Sequence, residues 1–135
     1  MTDRADGSRH ALIVGASSGI GMALVQRLGS SGHVSAMARR IDRLTDLASP
    51  AISPIACDVT QLDAIPALVE AVVAEHGKLD ALIYCAGTQL IKPMRITKVA
   101  EIQETVTVNL TAAIVFAKMF ASAKIANADS VRTLT

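Results

Sequence analysis

Short apolar runs alternate with stretches whose apolar residues recur every three or four positions. The first run, His10-Ala11-Leu12-Ile13-Val14, reads as a buried strand over 10–14. Ile20, Ala23, Leu24 and Leu28 then fall near helical spacing and predict a helix over 19–30, ended by Ser31-Gly32. A second strand is expected over 33–38, and a short helix over 42–47 that stops before Pro50. A third strand is expected over 52–57, with Pro54 early in it, where a missing donor is tolerated. Thr60 is a candidate cap for a helix over 61–75, on which Leu62, Ile65, Leu68, Val69, Val72 and Val73 repeat at helical spacing, with Gly77 as its C-cap. The almost wholly apolar run 81–85 predicts a fourth strand, followed by a turn at Ala86-Gly87 and a loop over 88–96 holding Pro93. A long helix is expected over 98–126, a loop over 127–129, and the opening of a fifth strand over 130–135. Residues 1–9 are polar and read as a loose tail before a single domain over 10–135. Strand and helix alternate throughout, which predicts an α/β fold: a parallel, doubly wound sheet.

Composition agrees with that layering. The chain has 135 residues, of which 51% are hydrophobic but only 2% aromatic, so the core is built from Ala, Val, Ile and Leu. Such a core suits strands covered on both faces by helices. With 13 basic and 12 acidic residues the net charge is +1, and no nucleic-acid or membrane surface is expected. No run reads as a bilayer span and no signal-peptide core precedes the first strand, so the expected location is cytoplasmic. Cys57 and Cys85 form no metal or redox motif. His10, His33 and His76 lack ligand spacing and are expected singly, in solvated or loop positions.

The chemistry gathers at Gly15-Ala16-Ser17-Ser18-Gly19-Ile20-Gly21, between the first strand and the first helix. A glycine-rich turn at a helix start lets backbone approach an anion and offers it unpaired N–H groups and the positive end of the helix dipole. The spacing is Gly-x-x-x-Gly-x-Gly, distinct from Gly-x-Gly-x-x-Gly, and no Lys-Ser or Lys-Thr pair follows as it would in a P-loop. By itself the turn states only that a phosphate fits here.

Further features coincide with it: Arg39-Arg40 after the second strand, Asp58-Val59 after the third, Ala86-Gly87 after the fourth, and Asn109 within the long helix. With the segment His76-Gly77-Lys78-Leu79-Asp80-Ala81-Leu82-Ile83-Tyr84-Cys85-Ala86-Gly87, these resemble the N-terminal half of the short-chain dehydrogenase/reductase family. The resemblance implies a Rossmann-type sheet of strand order 3-2-1-4 with a partial fifth strand, and NAD(P)-linked alcohol oxidation or ketone reduction. In that order Cys57 and Cys85 end strands three spacings apart, about 14 Å. A disulfide needs about 7 Å or less, so two free thiols are expected.

The resemblance carries over by position. Gly15, Gly19 and Gly21 match the family's cofactor-turn glycines, with Ser17, Ser18 and Ile20 offering hydroxyls and N–H groups to the phosphates. The acidic residue that binds ribose hydroxyls in NAD-preferring folds is missing: Ala38 stands there, with Arg39 and Arg40 next. A guanidinium binds a 2′-phosphate through paired hydrogen bonds, so NADP(H) is expected over NAD(H). Asp58 and Val59 match the adenine-side contact, although Asp58 serves equally as a helix cap. Ala86-Gly87 matches the end of the family's Asn-Asn-Ala-Gly turn, with Tyr84 and Cys85 in place of the asparagines. Asn109 matches the family's tetrad asparagine. Asn is a poor helix-interior residue, so either function or a helix irregularity is expected there.

The family's catalytic serine and Tyr-x-x-x-Lys have no counterpart in this sequence. The one tyrosine, Tyr84, has Thr88 four positions on. The chain thus reads as a truncated member, catalytically incomplete as it stands, because nothing is placed to move the proton. The long helix, apolar around much of its surface over 112–121, is expected to lack part of its cover and to drive homo-oligomerisation. A non-catalytic nucleotide-binding or interaction module that pairs with a homologue is the alternative reading. A methyltransferase is disfavoured for want of an acidic ribose ligand after the second strand.

Overall fold

In the computed structural model, residues 7–132 are described, with side chains through residue 124. The strands are β1 (His10–Val14), β2 (His33–Ala38), β3 (Ile52–Ala56) and β4 (Ala81–Tyr84). They form one sheet of order β3-β2-β1-β4, and every pairing in it is parallel. β1 and β2 are buried at every position, as inner strands must be. Pro54 is tolerated because β3 lies at the sheet edge, where one set of backbone donors is not needed for pairing.

Alternation along β1 sends side chains to two layers. Ile13 joins Val34, Ala36 and Ala38 of β2 under Val25 of α1 (Gly19–Gly29) and Leu44 of α2 (Asp42–Thr45). On the other face, Leu12, Val14 and Met37 meet Ile65, Val69 and Val72 of α3 (Ile65–His76). Ala112 and Phe116 complete that layer from α5 (Ala112–Arg132). α5 continues α4 (Val99–Val106) through a π turn at Thr107–Thr111.

Several expectations are corrected. The helix continues through residues 127–132, where a loop and the start of a strand were expected; 133–135, and residues 1–6 of the expected tail, lie outside the described residues. No Gly or Pro interrupts 112–132, so nothing in that Ala-rich stretch breaks the helix. Thr60 does not cap α3. A 3-10 turn at Leu62–Ala64 precedes that helix, which begins at Ile65 with Pro66 in its first turn. One helical stretch, Val99–Lys124, is long and apolar enough to cross a membrane, contrary to the reading of the sequence. Its Ala112 and Phe116 are nonetheless packed on the sheet.

The histidines are not isolated. His10 and His33 are buried side by side, since β1 and β2 pair them in register, and the end of α3 brings His76 over them. Ring centroids are 5.0 Å apart for His10–His33, 4.4 Å for His33–His76 and 6.0 Å for His10–His76. A 2.8 Å hydrogen bond joins His10 Nε2 to the buried Ser35 hydroxyl, and Ser53 Oγ lies 3.2 Å from His33 Nε2. Sequence separation concealed a cluster that only strand register creates. Among the described residues no group of His, Cys, Asp and Glu is arranged to hold a metal.

Phe116 is 1% exposed and is the largest fully buried side chain in the layer between α3, α5 and the sheet. Phe116→Ala is expected to destabilise the fold by about 3 kcal/mol or more. Urea unfolding followed by circular dichroism measures this, and a loss under about 1 kcal/mol would remove Phe116 from its role as the keystone of that layer.

Candidate functional site

A cleft of about 300 Å³ opens at the carboxyl ends of the strands. Open parallel sheets bind ligands there, because loops from alternate faces diverge at that edge. Gly15, Ser17 and Ser18 line it from the β1 exit, Arg39 and Arg40 from β2, Asp58 and Val59 from β3, and Ala86 and Gly87 from β4. Four segments separated in sequence thus meet at one place.

The β1 exit is shaped by steric exclusion. Gly15 has φ +84°, and a Cβ on it would fall on the backbone of Cys85 and Ala86. A Cβ on Gly21 would fall on the Gly15 carbonyl. Gly15 N–H and Ala16 N–H both donate to the Met37 carbonyl, at 2.9 and 3.0 Å, which ties the turn to β2. Gly19 is the second glycine of this turn with a positive φ, +55°, and a Cβ there would meet nothing within 4 Å. Ser18 is the N-cap residue of α1, yet its side chain makes no capping bond. The start of α1 thus presents helix-terminal N–H groups and two serine hydroxyls beside open space.

Not every expected residue lines the cleft. Gly19, Ile20 and Gly21 belong to α1 behind its rim; Ile20 is 76% exposed and Gly21 is buried under Gly15. Asn109 is also absent from the lining, although its neighbour Val108 is part of it. Asn109 acts on the cleft wall instead: its Oδ1 accepts from Thr88 N–H and its Nδ2 donates to the Thr88 carbonyl, both at 2.8 Å. It sits in the π turn, the irregularity that its poor helix propensity allowed.

Thr88, Glu104 and Val108 line the cleft without having been singled out from sequence. Thr88 directly follows Ala86-Gly87, so extending the turn by one residue would have found it. Glu104 and Val108 carry no local signal, since they enter only because the α4 end and the π turn fold over β4.

The cleft places two arginines at the β2 exit and two carboxylates, Asp58 and Glu104, around a neutral floor. Arg39 and Arg40 are exposed at its edge. The Thr60 hydroxyl and N–H hydrogen-bond Asp58 Oδ1, at 2.7 and 3.0 Å, and hold its carboxyl below the usual range; Arg39 adds to this. Asp58 therefore organises the turn after β3 and does not cap a helix directly. Burial pushes the Cys57 thiol up to about 11, with the Asp58 charge adding to it, so the floor thiol is protonated and unreactive. Both cysteines are free, as expected.

The short chain dehydrogenase family model matches residues 9–131. The chain is 38% identical over 106 residues to glycine betaine reductase ATRR from Emericella nidulans, covering 73% of this chain and 8% of that protein. It is 33% identical over 107 residues to 3-oxoacyl-[acyl-carrier-protein] reductase MabA from Mycobacterium tuberculosis, covering 78% of this chain and 41% of that protein. Among solved structures, a metagenomic short-chain oxidoreductase in complex with NADP superposes with a TM-score of 0.81 at 35% identity, over 88% of this chain and 57% of that one. The chain thus spans less than half the length of these curated relatives.

Tyr84 reports on this region, being the only tyrosine in a chain without tryptophan. Burial, and to a smaller degree Cys57 nearby, pushes its hydroxyl up to about 12. Spectrophotometric titration is expected to show one tyrosinate transition near pH 12, and near the ordinary value of about 10 once unfolded. Because the folded value is raised, the stabilisation is complete below the unfolded value and is lost as pH rises between the two. A folded-state transition at the ordinary value would show that the ring is not held as described.

Proposed function

Because the chain belongs to the short chain dehydrogenase family, we propose that it is the NADP(H)-binding portion of an alcohol or ketone oxidoreductase. The observation that carries this reading is that Arg39 and Arg40 share one cleft with the Gly15 turn and the α1 start. A helix N-terminus with Ser17 and Ser18 suits the dinucleotide's paired phosphates, and a guanidinium at the end of β2 suits a ribose 2′-phosphate. Ala38, where an acidic residue would accept from the ribose hydroxyls, offers no such acceptor. Asp58 and Val59 suit the adenine side, and Ala86 and Gly87 form the wall that the rest of the cofactor crosses. Gly19, Gly21 and Ile20 serve by setting the turn and the helix start. The bound cofactor supplies the hydride chemistry, and the residues of this chain hold and orient it.

The cradle is one part of an active site. Tyr84 is the only tyrosine in the 135 residues, and its hydroxyl is engaged at the Val108 carbonyl. No Tyr-x-x-x-Lys is present in the sequence. Residues 10–135 act as the dinucleotide-binding domain, with Asn109 as their contribution to the family's tetrad, and this chain alone binds cofactor without efficient turnover. The substrate class follows the family, a small or carrier-borne carbonyl or alcohol, in a cytoplasmic setting.

A second copy of the chain is the proposed partner, through the long helix. Val99, Ile102, Val106, Leu110 and Ile114 recur every three or four residues, and each is 40% exposed or more. A stripe of that kind on a helix is covered by association.

Titration with NADPH is expected to show saturable binding. Arg39→Ala is expected to weaken NADPH by about tenfold and NADH by less than about twofold. Equal losses would overturn the 2′-phosphate role, and no NADPH binding at millimolar concentration would overturn the cofactor reading for this chain. Light scattering at micromolar concentration is expected to give a dimer or larger species, with Ile102→Glu and Leu110→Glu together shifting it to monomer. A monodisperse wild-type monomer would overturn the helix-mediated association.

A further inference from the structure

The π turn changes which backbone groups are paired. In an α-helix the Ala112 N–H would donate to the carbonyl four residues back, that of Val108. Here it donates to Thr107. The Val108 carbonyl accepts instead from the Tyr84 hydroxyl, at 2.5 Å. The donor comes from the last residue of β4, and the acceptor lies within the helical irregularity. The next residue, Asn109, returns the connection: its side chain holds both the N–H and the carbonyl of Thr88 at 2.8 Å.

Three hydrogen bonds thus bracket the segment Cys85-Ala86-Gly87, one before it and two after it. That segment is cleft wall. The bracketing leaves Gly87 close to the clamp, since a Cβ there would lie 3.6 Å from Asn109 Oδ1. On the other side, the Gly15 turn is packed against Ala86 too closely for any side chain. The wall is held from both sides, and the helix-side hold begins at Tyr84.

We propose that Tyr84 is a positioning residue: its hydroxyl satisfies the Val108 carbonyl that the π turn leaves without its α-helical donor, and so sets Asn109 on Thr88 and the Ala86–Gly87 wall against the cofactor. This rests on the cofactor reading above and adds a residue to it. Tyr84 occupies the place of one of the asparagines in the family's turn. The phenol is longer than an asparagine side chain, and its hydroxyl reaches from β4 to the helix. The Tyr84 ring is anchored for the task, with its centroid 5.9 Å from that of Phe116. Tyr84 does not itself line the cleft; it acts through the Val108 carbonyl behind the wall.

Tyr84→Phe tests this, because it keeps the ring and removes only the donor. Amide hydrogen exchange by NMR on the full chain is expected to show protection at Thr88 falling by about fivefold or more. Leu12 and Ile13, within β1, are expected to change by less than about twofold, since simple destabilisation would move all amides together. Asn109→Ala is expected to abolish Thr88 protection, and the double variant Tyr84→Phe/Asn109→Ala to lose nothing more, as coupled groups do. NADPH affinity is expected to fall by about fivefold in Tyr84→Phe. Unchanged Thr88 protection and NADPH affinity in Tyr84→Phe would overturn the proposal, as would a uniform loss across all amides. If the wild-type chain fails to bind NADPH, the cofactor reading falls, while the selective Thr88 readout still decides the role of Tyr84.

Discussion

The structure depends on one point where there is no room for a side chain. At Gly15 the chain leaves β1 with φ +84° and passes directly against the backbone of Cys85 and Ala86. Gly21, on the first turn of α1, lies against the Gly15 carbonyl. The exits of β1 and β4 and the start of α1 therefore converge within van der Waals contact. The Gly15 and Ala16 N–H groups bind the Met37 carbonyl and draw the end of β2 to the same place. A side chain at either glycine would push these elements apart and open the cleft wall, so the sheet order and the cleft share one steric origin.

From that point outward the cleft is built by what the layers leave uncovered. The two faces of the sheet are closed by α1 and α2 on one side and by α3 and α5 on the other. At the carboxyl ends of the strands the loops go to opposite faces, and Arg39, Arg40, Asp58 and the serines of the β1 exit are left around a shared opening. Its floor includes Val14, Met37 and Cys57, all buried. Above this neutral floor the arginines gather at the β2 exit, with Asp58 and Glu104 elsewhere on the lining. None of the exposed apolar residues Val99, Ile102, Val106, Leu110 and Ile114 lines that opening.

The later part of the loop over 88–98 is restrained by the Glu101 carboxylate. Glu101 receives Lys92 Nζ at 2.7 and 2.9 Å and the Lys98 N–H at 2.8 Å. The Lys92 hydrogen bonds, with the Lys98 N–H behind them, hold its carboxyl below the usual range. Half-buried at the surface, the pair contributes modest stability and limits where the loop travels before α4. With the Tyr84 and Asn109 bonds, this leaves the segment between β4 and α4 attached to the helix at both ends.

The local elements were legible because each was decided by its own residues. β1 and β2 were read to the residue, since each short, mostly apolar stretch is bounded by turn residues. β3 and β4 were read one residue too long, because Cys57 and Cys85 are apolar enough to extend the run. The Gly15 turn, the arginines after β2 and the asparagine in an unsuitable helix position were each visible as local anomalies. What the sequence could not show are relations between distant positions. The histidine cluster arises from parallel register between β1 and β2, which no spacing along the chain encodes. Glu104, Val108 and the Tyr84 donor enter the site only through the way the π turn crosses the end of β4. Sequence by itself determined the four strands, the helices between them and the glycine-rich turn after β1, though not the helical course of 127–132, because those elements follow from periodicity and backbone freedom. Only tertiary structure decided which polar groups face one another, because hydrogen-bond partners are chosen by proximity in space.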